Sequence, residues 1–101
     1  MNILLVCSAG MSTSMLVTRM EKAAEELGVE AKIWAVSGDA AKEEMKQADV
    51  VLLGPQVRFL LKNMKAIADP KGIPVEVINS IQYGMMDGKA VLETAVSLAN
   101  K

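Results

Sequence analysis

The chain contains no histidine and a single cysteine in its 101 residues. The missing imidazole excludes histidine-based acid/base chemistry, Cys/His zinc sites and Ser-His triads together. A lone thiol excludes an internal disulfide, a zinc knuckle and a Cys-x-x-Cys redox pair, and it suits a reducing compartment. Charge of neither sign dominates. Eleven basic against twelve acidic residues leave a net charge of -1, which gives no reason to expect nucleic acid as a partner or an anionic lipid surface. The apolar runs at residues 3–6 and 50–53 are far shorter than the roughly 18–20 residues that a bilayer crossing needs. No basic segment precedes the first run and no small-residue cleavage site follows a long apolar stretch, so no leader peptide is expected. The expected location is the cytoplasm, without direct membrane insertion. Internal repeats, low-complexity tracts and Pro/Gly linkers are lacking as well.

What is there suits one compact globular domain over residues 1–101, with 51% hydrophobic and 23% charged residues and room for a single core. Ile3-Leu4-Leu5-Val6 reads as a strand buried on both faces. A helix is expected from Ser12, because Leu16, Met20, Ala23, Ala24 and Leu27 recur at helical spacing and Gly28 is placed to stop it. Val29, Ala31, Ile33 and Ala35 alternate with Glu30, Lys32 and Trp34, which predicts an edge strand with a wetter face. A short charged helix over residues 39–48 leads to a second uninterrupted run, Val50-Val51-Leu52-Leu53, stopped by Gly54-Pro55. Val57, Leu60, Leu61, Met64, Ile67 and Ala68 predict a third helix, turned by Asp69-Pro70-Lys71-Gly72 into an edge strand over residues 75–78. A closing helix begins near Asp87, read as its N-cap. Alternating strands and helices with short loops predict an open three-layer α/β/α domain with a four-stranded parallel sheet of order 2-1-3-4. In that order the first and third strands flank the topological switch point, and ligands bind beyond the strand C-termini there.

Two loops converge at that point, and one of them carries chemistry. Cys7-Ser8-Ala9-Gly10-Met11-Ser12-Thr13-Ser14 sets a thiol, a glycine and four hydroxyls between a buried strand and a helix start. Backbone N–H groups in such a turn lack intrahelical partners, and the helix dipole adds partial positive charge, so the loop can hold a tetrahedral anion. The same donors favour a thiolate. A cysteine inside a strand is commonly a small hydrophobe, and Ser/Thr before a helix is ordinary capping. At the last position of a central strand, the functional assignment of Cys7 is favoured.

The loop resembles the Cys-x5-Arg-Ser/Thr loop of low-molecular-weight protein tyrosine phosphatases, with Thr13 where those enzymes carry arginine. Without that guanidinium, the equatorial oxygens lose bidentate stabilisation during transfer to water. Those phosphatases' Asp-Pro acid near the C-terminus has no counterpart either, since Asp69-Pro70 ends a helix away from the strand C-termini. Across nearly the whole chain, three segments give a more specific resemblance. They are residues 5–14, then Ala48-Asp49-Val50-Val51-Leu52-Leu53-Gly54-Pro55-Gln56, and Val75-Glu76-Val77-Ile78-Asn79-Ser80 with Tyr83-Gly84 and Asp87-Gly88. The sequence resembles the IIB component of the lactose/cellobiose class of the bacterial sugar phosphotransferase system.

That resemblance implies a phosphotransferase without a cofactor. Cys7 would accept a phosphoryl group from a phosphohistidine on a IIA protein. It would pass the group to a sugar of the cellobiose, lactose or chitobiose class entering through a IIC membrane permease. Ser8, Ala9, Gly10, Met11, Ser12, Thr13 and Ser14 would be the phosphate-binding loop. The family supplies the histidine on the donor, which fits its absence here. A monomer is expected, associated peripherally with the permease. The alternatives are a cysteine phosphatase on the same loop, disfavoured by Thr13, and a regulatory domain with a silent core cysteine.

Other features have plainer explanations. Gly84-Met85-Met86-Asp87-Gly88-Lys89-Ala90 has three residues between its glycines instead of a Walker loop's four, and no hydroxyl for magnesium. Tyr83 and Gln56 fall near the expected site without an assigned role. Met15, Met20, Met45 and Met64 are expected to pack within helices, whereas Met11, Met85 and Met86 are candidates for an exposed docking rim.

Overall fold

The computed structural model describes residues 1–7 and 10–100, and the side chains of these except residues 10–13. Four parallel strands, β1 (Asn2–Cys7), β2 (Lys32–Ser37), β3 (Val50–Leu53) and β4 (Val75–Val77), form one sheet in the order β2-β1-β3-β4. The helices are α1 (Gly10–Leu27), α2 (Gly38–Glu44), α3 (Leu61–Ala68), α4 (Ser80–Gly84) and α5 (Gly88–Ala99). From β1 the chain moves one way to β2 and then reverses past β1 to β3 and β4. Right-handed crossovers therefore send α1 to one face and α2 and α3 to the other.

Two cores result, one on each side of the sheet. Ile3, Leu5, Val50 and Leu52 point toward Leu16 and Met20 of α1 and Leu92 of α5. Leu4, Val6, Val51 and Leu53 point toward Met45, Met64 and Ala68. All four residues of β3 are buried, as are Ile3 through Cys7 in β1. Uninterrupted apolar runs are the pattern that a strand covered on both faces requires.

Several expected boundaries move. Helix α1 starts at Gly10 instead of Ser12: only residues 8 and 9 separate it from β1, so the Ser/Thr cluster enters the first turn. Strand β2 begins at Lys32 instead of Val29. The Val29 amide still closes α1 by donating to the Ala24 carbonyl at 2.8 Å, and pairing with β1 starts at Asn2 opposite Lys32. Trp34 is not on a wet face. It is partly buried against the Leu4/Val6 side of the sheet, with the Lys32 ammonium 5.5 Å above its ring. The third helix becomes a 3₁₀ segment, Pro55–Leu60, broken at Val57 (φ -116°, ψ 21°), before α3 begins. Residues 45–47 wind as a 3₁₀ turn after α2. Met15 is exposed rather than packed, while Met20, Met45 and Met64 are buried as expected. Helix α4 was not anticipated. Its N-cap, Asn79, accepts from the amides of Ile81 at 2.9 Å and Gln82 at 3.1 Å. Asp87 caps α5 as expected, accepting from the Ala90 amide at 3.1 Å.

Candidate active site

Cys7 is the last residue of β1, paired with Ser37 of β2 on one side and followed within three residues by α1. It is 4% exposed. On its other side the ends of β1, β3 and β4 are joined one to the next. The Gly54 amide donates to the Val6 carbonyl at 2.8 Å, and the Ile78 amide donates to the Leu53 carbonyl at 2.8 Å. The exits of β1, β3 and β4 thus lie side by side. Because α1 leaves toward one face and the segment after β3 toward the other, a crevice opens between them at the switch point.

Of the expected phosphate-binding residues, Ser8 and Ala9 lie outside the described residues. Gly10, Met11, Ser12 and Thr13 form the start of α1, and their side chains lie outside the description too. Their backbone positions matter most here, since the first four N–H groups of an α-helix have no acceptor within it. Ser14 is exposed, and its carbonyl accepts from the Thr18 hydroxyl at 3.1 Å. No acidic residue occupies the first turn of α1, which leaves the positive end of the helix dipole unopposed.

The distribution of carboxylates extends this pattern. None of the twelve acidic residues falls within residues 8–20, 54–68 or 77–86, the segments leaving β1, β3 and β4. A dianion at this end of the sheet meets no carboxylate from them; Asp39, in the first turn of α2 after β2, is an acidic residue at this end, whereas Asp49 and Asp69 lie before β3 and β4, at the opposite end. The signal was present in the sequence, but it became meaningful only once these three segments were known to share one end.

Two further side chains reach the crevice. The Gln56 side-chain amide donates to the Tyr83 hydroxyl at 2.9 Å, linking the segment after β3 to α4. Both lie over Gly54, where a Cβ would stand 2.6 Å from Gln56 Oε1, 3.5 Å from Tyr83 Cε1 and 3.5 Å from the Val6 carbonyl oxygen. Tyr83 is on α4, partly buried against the core beneath α1 and α5.

A hollow of about 330 Å³ lined by Leu52, Glu76, Asn79, Gln82, Val91 and Thr94 lies instead along the edge strand β4. Among the described residues, its only titratable side chain is Glu76, an unsuitable lining for an anion. Among the described residues, no group of three metal-ligating side chains comes together, and no helix is long and apolar enough to cross a membrane.

Comparison with known proteins gives this geometry its context. Residues 2–94 match the family described as "PTS system, Lactose/Cellobiose specific IIB subunit". The chain is 55% identical over 96 residues to the oligo-beta-mannoside-specific EIIB component of Bacillus subtilis (strain 168), covering 95% of this chain and 93% of that one. It is 38% identical over 93 residues to the lactose-specific EIICB component of Streptococcus mutans, covering 90% of this chain and 16% of that longer protein. The solution structure of a cellobiose-specific phosphotransferase IIB component from Borrelia burgdorferi superimposes with a TM-score of 0.82 at 52% identity, covering 99% of this chain and 92% of that one. The chain belongs to the lactose/cellobiose-specific IIB family of the sugar phosphotransferase system, whose members act as phosphotransferases in sugar transport.

Proposed function

We propose that this protein is a cytoplasmic phosphoryl carrier in which Cys7 holds the phosphoryl group as a phosphocysteine. The observation that carries the reading is the position of Cys7, ending a central strand at the switch point with α1 starting three residues later. In the first step the Cys7 thiolate attacks the phosphorus of a phosphohistidine on a IIA protein. An S–P bond forms as the N–P bond breaks, and the imidazole nitrogen keeps the electron pair. In the second step a sugar hydroxyl attacks the same phosphorus. The O–P bond forms, the S–P pair returns to sulfur, and the hydroxyl proton leaves to solvent. Residues 8–14 cradle the transferring oxygens through backbone N–H groups, so catalysis is mostly positioning and electrostatics. No arginine stands at Thr13 to promote transfer to water, which suits a carrier over a phosphatase.

Both transfers require partners to close over the same thiol. Among the described residues, Met15, Phe59 and Ile81 are exposed large hydrophobic side chains on segments leaving strand C-termini, while Met85 lines a hollow with Arg19, Lys22 and Glu26 along α1 and Leu27 is at the far end of that helix. An apolar rim around a polar site suits docking of a IIA donor and then a IIC permease. Met85 was expected on that rim but lies beside Arg19, Lys22 and Glu26 of α1; Met86 is half-buried, and the Met11 side chain lies outside the description. The relative named as an EIICB component supports the IIC partner. A sugar of the cellobiose, lactose or chitobiose class is the acceptor, and a monomer leaves the Cys7 end open to both partners.

The test is intact mass and peptide mapping after incubation with phosphoenolpyruvate, the general phosphotransferase components and a IIA protein. One phosphoryl group on Cys7 is expected, and none on a folded Cys7→Ser variant. A wild-type chain that gains nothing from an active phospho-IIA donor, or a Cys7→Ser variant that phosphorylates sugar normally, would overturn the reading.

A further inference from the structure

We propose that Gln56 and Tyr83 are positioning residues for the phosphoryl group on Cys7, forming a second wall of the site beside the start of α1. The inference rests on the carrier reading above. Their hydrogen bond joins residues 27 positions apart in the chain. Both side chains lie over Gly54, within van der Waals reach of the space a Cβ would fill there, and the Val6 carbonyl borders that same space. The Val6 carbonyl and the Cys7 amide belong to one peptide group. The carboxamide and the phenol ring therefore stand beside the residue that carries the phosphoryl group.

The core does not account for this pair. Tyr83 anchors its ring among apolar neighbours, but its hydroxyl is delivered to Gln56, which is exposed. Ordering an exposed glutamine costs side-chain entropy that one hydrogen bond between neutral groups barely offsets. The chemistry of the pair suits retention of a phosphoryl group. Amide and phenol are uncharged donors, able to hold phosphoryl oxygens without the concentrated positive charge that stabilises transfer to water. They stand at a sheet end where residues 54–68 and 77–86 contain no carboxylate.

Phosphorylated wild-type protein, separated from its IIA donor, provides the test, with phosphocysteine followed by intact mass and phosphorus NMR. Gln56→Ala and Tyr83→Phe, which keeps the aromatic ring, should each lose the phosphoryl group to water about fivefold faster, the scale of one lost hydrogen bond. Both should move the phosphorus resonance. The double variant should be no faster than the faster single one, because the residues act as a unit. Gln56→Glu preserves size while adding a negative charge, and should slow loading from phospho-IIA more than Gln56→Ala does. A structural role alone would leave the phosphorus resonance in place and be rescued by Gln56→Glu. Variants that retain the phosphoryl group as long as wild type, with an unmoved resonance, overturn this proposal and leave the carrier reading standing. A wild-type chain that accepts no phosphoryl group overturns both.

Discussion

Gly88 lies against the backbone of Arg19, so that a Cβ on it would stand 2.5 Å from the Arg19 carbonyl carbon and 2.7 Å from its oxygen. The first turn of α5 thus meets the middle of α1 without a side chain between them, closing the core over Leu16, Met20 and Leu92. A glycine is required here by close approach, because its φ is not positive.

The contact predicts a contrast between two glycines four residues apart. Gly88→Ala forces α1 and α5 apart and should cost about 1–3 kcal/mol, as overpacking does. Gly84→Ala enters open space at the end of α4 and should add about 0.4–1 kcal/mol by restricting the unfolded chain. Urea unfolding checks both, with the midpoint moving in opposite directions at constant slope. Equal midpoints would mean that the helix crossing yields without cost.

Gly54→Ala should separate stability from function. The atom its Cβ would displace is Gln56 Oε1, the end of a flexible side chain, while Tyr83 and the Val6 carbonyl stay at ordinary contact distance. Stability should change by less than about 1 kcal/mol. Because Gln56 is pushed from its place, phosphocysteine lifetime should shorten as it does in Gln56→Ala. An unchanged lifetime alongside unchanged stability would show that the position of Gln56 is immaterial to the phosphoryl group.

The apolar rim predicts a binding defect without a folding defect. Phe59→Ser and Ile81→Ser remove side chains that are 73% and 72% exposed, so stability should stay within about 0.5 kcal/mol of wild type. Each should raise the KM for phospho-IIA about fivefold, the scale of a residue contributing modestly to an interface, with kcat little changed. Leu27→Ser, at the far end of α1, is the control and should alter neither. Steady-state transfer rates at varied donor concentration distinguish these outcomes.

How much was legible in advance depended on how local each signal was. The buried strands β1 and β3 were marked by runs of four apolar residues, the edge strand β4 by Glu76, and the end of α1 by Gly28, which adopts φ 71°. Each is a property of adjacent residues. Helix α4 escaped notice because five residues show no helical period; it is held by the Asn79 side chain and by its place against α5. The start of β2 was read three residues early, because Val29 and Ala31 continue the strand pattern although the backbone there still closes α1. At the candidate site, Cys7 was legible as a candidate from the sharp change of an apolar run into a Gly/Ser/Thr segment. The partnership of Gln56 and Tyr83 was not, since nothing local to either residue indicates the other.

The sequence by itself determined the order of elements, the parallel sheet of order 2-1-3-4 and Cys7 as the residue at its switch point. Apolar runs, helical spacing and connection handedness are dictated by neighbouring residues and chirality. Only the tertiary structure decided what surrounds that thiol. It brought three carboxylate-free segments to one end of the sheet, placed Phe59 and Ile81 on the same end, and let Gln56 meet Tyr83 across Gly54. Such meetings depend on strand register and on the crossing of helices, which the whole core fixes at once and no single stretch of sequence encodes.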